Sequence, residues 1–130
     1  MTTMHRILAS LLLLLGLAIL SHSVAAADKF AIAADGDRPS AEIAKLAGIA
    51  PFFHLYDVNG NPLEILPNPH LDMEYGIGPA AAATLADMGV TVMIARRIPG
   101  PKMEDVLNAR NVRIVRRVGT VQDVVNELKE

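Results

Sequence analysis

Pro51-Phe52-Phe53-His54-Leu55-Tyr56-Asp57-Val58-Asn59-Gly60-Asn61-Pro62-Leu63-Glu64-Ile65-Leu66-Pro67 is the stretch that decides how this chain folds. Phe52 to Val58 is rich in aromatic and apolar residues and reads as a strand. Asn59-Gly60 is a strong signal for a two-residue hairpin turn. Pro62 to Leu66 then returns as the partner strand. Proline has no N–H to donate to a ladder, so Pro62 and Pro67 place that strand at a sheet edge. At least one strand pair is therefore antiparallel.

Working outward, Lys29 to Ala34 is a short apolar strand ended by Asp35-Gly36-Asp37. Ser40 is placed to cap a short helix, Ala41 to Ala47, that stops at Gly48. Downstream, Pro67 to Gly78 has no apolar period and reads as a loop. Pro79 suits the first position of a helix running through four alanines to Met88 and closing at Gly89. Val90 to Ala95 is a continuous apolar strand, the pattern of a strand covered on both faces. Arg96 to Pro101 is a turn, followed by a helix to about Ala109. Val112 to Val115 is the last strand, and Arg113, Arg116 and Arg117 suit an edge. Thr120 caps a final helix with Asp123 as the acidic member of a capping box. Val121, Val124, Val125 and Leu128 give that helix one apolar face. The order β-α-β-β-α-β-α-β-α predicts an α/β fold with a mixed sheet between helices.

The first 27 residues read differently. His5 and Arg6 precede an apolar run from Ile7 to Leu20, and Ala25-Ala26-Ala27 offers a small-residue cleavage site before Asp28. That is the pattern of a secretory signal. A membrane-spanning helix needs roughly 20 apolar residues, which this run reaches only by counting Ser21, His22 and Ser23. The expectation is a signal peptide over 1–27 and one domain over 28–130, periplasmic or secreted and free of the membrane once cut. The chain has no cysteine, which removes disulfides, thiolate metal sites, a cysteine nucleophile and a lipoprotein anchor. Without Arg6, 11 basic residues face 14 acidic ones. A weakly acidic domain argues against nucleic-acid binding, which requires a basic surface.

Several strings resemble a known family in the same order along the chain: Ala50 to Asp57, Asn68-Pro69, Gly76-Ile77-Gly78 before the alanine-rich helix, Ala86 to Ala95, Gly100-Pro101-Lys102, and Gly119-Thr120-Val121. Together they resemble the dinitrogenase iron–molybdenum cofactor biosynthesis family, of the NifX and NifB C-terminal type. The resemblance implies a three-layer α/β/α sandwich with a mixed five-stranded sheet and a ribonuclease-H-like motif. It also implies binding or carrying an iron–sulfur or iron–molybdenum-type cluster, or a precursor, rather than catalysis.

Ligands of α/β sheets sit outside the carboxyl ends of the parallel strands. Three loops should meet there: Asp35 to Arg38, Pro67 to Gly78, and Arg96 to Lys102. The third combines arginines and a lysine with a helix start, whose free N–H groups and dipole favour an anion. The candidate cofactor-binding residues are Asp35, Gly76, Gly78, Arg96, Arg97, Gly100 and Lys102, with Arg96, Arg97 and Lys102 as anion clamps. Arg96 and Arg97 have a plainer alternative, as solvated charges or partners of Asp35 and Asp37. Imidazole is a borderline metal donor, so His70 is the candidate metal ligand; an exposed loop histidine is its alternative. His54, inside an aromatic strand, reads as a hydrogen-bonded core residue. Met88, Met93 and Met103 read as packing. No catalytic set appears: there is no G-x-S-x-G, and Ser40 is the only serine after residue 27. Arg96 and Arg97 stand where a ribonuclease-H-type nuclease would need another acid. The expected function is an exported, non-enzymatic carrier of a metal cluster or related anionic redox cofactor. The second reading is a ligand-free module that docks on an exported redox or metalloprotein partner through Arg113, Arg116 and Arg117.

Overall fold

Strand β1, Lys29–Ala34, is buried from Phe30 onward on both faces, and the rest of the domain is arranged around it. The computed structural model describes residues 27–98 and 100–130; the signal expected over 1–27 lies almost wholly outside the described residues. β1 pairs antiparallel with β2, Phe52–Asp57, in the register Ile32 to His54. β2 pairs antiparallel with β3, Pro62–Pro67, with an irregularity at Leu55/Tyr56. On its other side β1 runs parallel to β4, Val92–Ala95, and β4 runs parallel to β5, Arg113–Arg116. The five-stranded order is β3-β2-β1-β4-β5.

Side chains alternate across a strand, and here each face builds its own core. Ala31, Ala33, Phe53, Leu55, Met93 and Ala95 face one way, toward Leu85 of α1, Ile77–Asp87, and Met103 and Leu107 of α2, Gly100–Ala109. Phe30, Ile32, Ala34, Tyr56, Val92 and Ile94 face the other way, toward Val121, Val124 and Val125 of α3, Val121–Lys129. The result is the expected three-layer α/β/α sandwich with a mixed sheet. Deleting Phe53, which is fully buried, should destabilise the domain by about 3–5 kcal/mol.

Three local expectations are corrected. No α-helix forms over Ala41 to Ala47. The N–H of Ile43 donates to the Gly119 carbonyl and that of Ala44 to the Ala33 carbonyl, at 2.9 and 2.8 Å. Ile43 enters the α3-side core and Ala44 the opposite one. Consecutive residues can serve opposite cores only in extended backbone, and so short a helix has little stability of its own to oppose that. A 3-10 turn, Ala47–Ile49, follows instead.

The hairpin loop is longer than Asn59-Gly60. The Asp57 carboxylate accepts the backbone N–H of Asn59 and of Asn61, both at 2.9 Å, and the Asn61 side-chain amide at 3.0 Å. An aspartate that gathers the N–H groups ahead of it ends the ladder early.

Helix α1 starts at Ile77, so Pro79 is its third residue and not its first. Gly76, left-handed at φ 73°, supplies the turn that starts it earlier. Proline is tolerated anywhere in a first turn, where its missing N–H would have no partner.

Candidate functional site

Helices α1 and α2 start side by side at one end of the sheet, and both starts are glycine-built. Gly76 precedes α1 at φ 73° and Gly100 opens α2 at φ 71°, a conformation that side-chain-bearing residues rarely adopt. No side chain caps α1. Between the two starts lies a cleft of about 390 Å³, lined by Gly48 and Ile49 of the 3-10 turn, Glu74 with Gly76 to Pro79, and Gly100 to Met103.

The cleft floor depends on missing side chains. A Cβ on Gly48 would stand 2.8 Å from the Gly78 Cα, and one on Gly78 would stand 3.3 Å from the Met103 Cβ. Met103 is fully buried and packs its sulfur against the same spot. Asn68, 6% exposed, holds the 3-10 turn in place. Its side-chain amide donates to the carbonyls of Gly48 at 3.2 Å and Ala50 at 3.0 Å. The Ala47 N–H donates to the Arg97 carbonyl at 3.0 Å, joining this turn to the loop after β4.

Four of the residues picked from the sequence line the cleft: Gly76, Gly78, Gly100 and Lys102. Asp35, Arg96, Arg97 and His70 do not. Asp35 is exposed at the end of β1, its N–H bonded to the Glu42 carbonyl. Arg96 and Arg97 are exposed beyond β4 and, among the described residues, take part in no ion pair. The His70 ring Nε2 is 2.7 Å from the Thr84 hydroxyl of α1, and the His70 backbone N–H donates to the Asn68 side-chain oxygen. No group of three His, Asp or Glu suited to a metal ion occurs among the described residues. His54 is the expected core histidine: fully buried, its Nε2–H donating to the Gly36 carbonyl at 2.7 Å.

The cleft's chemistry is thus mostly backbone. The free N–H groups at the uncapped start of α1 and the Lys102 ammonium at the start of α2 favour an anion, with Glu74 the one acid in the lining. Ile49 is 52% exposed, and so large an exposed apolar side chain leaves one bank of the opening apolar. Tyr75, between the cleft residues Glu74 and Gly76, is 80% exposed. Sequence reasoning placed Glu74 only within the converging Pro67–Gly78 loop, and it missed Gly48, Ile49, Met103 and the supporting Asn68 as site residues. The available signal for Asn68 was its place between Pro67 and Pro69. Gly48 carried none beyond a helix stop.

Residues 28–130 match the sequence profile of the family described as dinitrogenase iron-molybdenum cofactor. The chain belongs to that family. Solved structures resembling this dinitrogenase iron-molybdenum cofactor family member include the apo form of the orange protein from Desulfovibrio gigas. The two are 24% identical with a TM-score of 0.70, over 77% of this chain and 85% of that one. A putative NifB protein from Thermotoga is 27% identical with a TM-score of 0.64, over 76% of this chain and 84% of that one. No curated protein sequence matches this family member.

Proposed function

We propose that this chain is a carrier, not an enzyme, and that its cargo is an iron–sulfur or iron–molybdenum-type cluster or a related anionic cofactor held in the cleft between α1 and α2. The observation that carries this reading is the convergence on one opening of two helix starts shaped by glycines, the first with no side-chain cap and the second bearing Lys102. Membership of the iron-molybdenum cofactor family supports it. The lining has no thiolate and no imidazole. The cargo would therefore arrive with its own inorganic ligands, and the protein would supply N–H donors, the Lys102 charge and shelter from water. Such a hold is electrostatic and weakens with salt.

The carrier acts outside the cytosol in this reading, delivered by the signal over 1–27. Asp28 accepts from the Thr91 hydroxyl at 2.9 Å, and the Lys29 ammonium donates to the Met88 carbonyl at 2.7 Å. A cut after Ala27 would keep all of these contacts. No helix among the described residues is long and apolar enough to cross a membrane.

The test is metal analysis with a visible spectrum after anaerobic reconstitution with iron and sulfide. Stoichiometric iron with charge-transfer bands, reduced in Lys102→Ala, is the expected result. A folded protein that stays colourless and iron-free would refute the cluster assignment.

A further inference from the structure

The two edges of the sheet are closed in different ways. β3 begins and ends in proline and carries a register irregularity beside it, so a strand added there would find donors missing. β5 contains no proline. The Arg113 N–H donates to the Thr91 carbonyl at 2.8 Å and the Arg117 N–H to the Ala95 carbonyl at 3.0 Å, both inward across the β4 side. Backbone groups alternate along a strand. The N–H and C=O groups of Ile114 and Arg116 therefore face the open edge.

The side chains at this edge are equally specific. Arg113, Val115 and Arg117 lie on the α3 face, at the rim of a small groove whose floor is Phe30, Val92 and Ile94. Ile114 packs into the opposite core. A second copy of this chain is a poor occupant. Antiparallel pairing centred on Val115 would set Arg113 against Arg117 of the other copy, and like charges directly opposite destabilise a pair.

We propose that the β5 edge accepts an extended acidic segment of a partner protein by strand addition. The segment would carry carboxylates opposite Arg113 and Arg117 and, between them, an apolar residue opposite Val115 over the groove. On that face it reads carboxylate, any, apolar, any, carboxylate. In the free chain Arg117 covers the edge: its Nη1 donates to the Arg116 carbonyl at 2.9 Å and its Nε to Glu127 at 3.3 Å. Arg113 stands 3.7 Å from Asp28. All of these contacts are exposed, and exposed pairs contribute little. The incoming backbone replaces the first contact and the incoming carboxylates replace the others. Nothing in this surface depends on the cleft.

The experiment uses the full chain and two blocked peptides, one with a Glu-Thr-Val-Thr-Glu core and one with a Lys-Thr-Val-Thr-Lys core. At low salt the acidic peptide should slow amide hydrogen exchange at Ile114 and Arg116 by about tenfold, leave β3 unaffected, and outcompete the basic one. Arg113→Glu with Arg117→Glu should reverse the preference, and the milder Arg113→Gln with Arg117→Gln should abolish it. Absence of binding, binding that leaves the Ile114 and Arg116 amides unprotected, or a preference for the basic peptide would each overturn the proposal.

Discussion

Helices α1 and α3 begin in opposite ways. At α3 the Thr120 hydroxyl accepts the Asp123 N–H at 3.2 Å and the Asp123 carboxylate accepts the Thr120 N–H at 2.9 Å, a complete capping box. At α1 a glycine stands in the cap position and no side chain accepts anything. Helix α2 opens on Gly100-Pro101, with Gly100 in the same left-handed conformation as Gly76. The capped start contributes nothing to the cleft that the two glycine-built starts share. Side-chain oxygens that satisfy a helix start stabilise the fold and also make that start unavailable to a ligand. In this molecule the two uses are kept on different helices.

The largest expected effect comes from breaking the glycine-built side. Gly48→Ala puts a Cβ against the Gly78 backbone, which has no flexible end to move aside. Overpacking of this kind costs about 1–3 kcal/mol. It should also push the start of α1 into the cleft, so iron retained after reconstitution should fall more than chemical denaturation alone explains. Retained iron at the wild-type level would detach the cleft from the cargo.

Thr120→Ala acts on the other side of the comparison. Removing the cap should lower stability by about 1 kcal/mol, read in urea melts, and leave iron uptake unchanged. A loss of iron in this variant would show that the two kinds of helix start are coupled after all.

The smallest effect concerns another turn that satisfies its own N–H groups. The backbone N–H of Asn61, helped by the Asn61 side chain and the Asn59 N–H, holds the Asp57 carboxyl below its usual range. A lowered folded value means stability that is fully present above the unfolded value, about 3.9, and lost as pH falls through the lower folded one. Asp57→Asn should flatten the acid limb of a stability–pH profile there. An unchanged acid limb would mean the turn contributes nothing through its charge.

The architecture was legible because its signals are redundant. The short apolar strand β1, the aromatic-rich β2, the apolar run of β4 and the Thr120–Asp123 box all point to the same sheet and helices. The failures share a cause. The Ala41–Ala47 helix looked sound locally, but burial of Ile43 and Ala44 on opposite sides of the sheet is a tertiary demand that no window of sequence displays. The site was legible only where it is made of motifs: Gly76, Gly78, Gly100 and Lys102 stand in recognisable turns. Gly48 joins them through contacts 30 residues away in the chain, and Asn68 through bonds to carbonyls 18 and 20 residues back. Arg96 and Arg97, the most conspicuous charges in the sequence, lie beside that cleft's supports and not in its lining.

The chain has two tyrosines and no tryptophan, so its ultraviolet emission comes from Tyr56 and Tyr75 alone. Tyr56 is sealed in the core, where burial pushes its hydroxyl pKa up. Tyr75 stands in solvent between two residues of the cleft lining. The protein thus carries one optical reporter locked away as an internal standard and another posted at the mouth. A coloured cargo arriving there would dim the second far more than the first, and loading could be followed without adding a label.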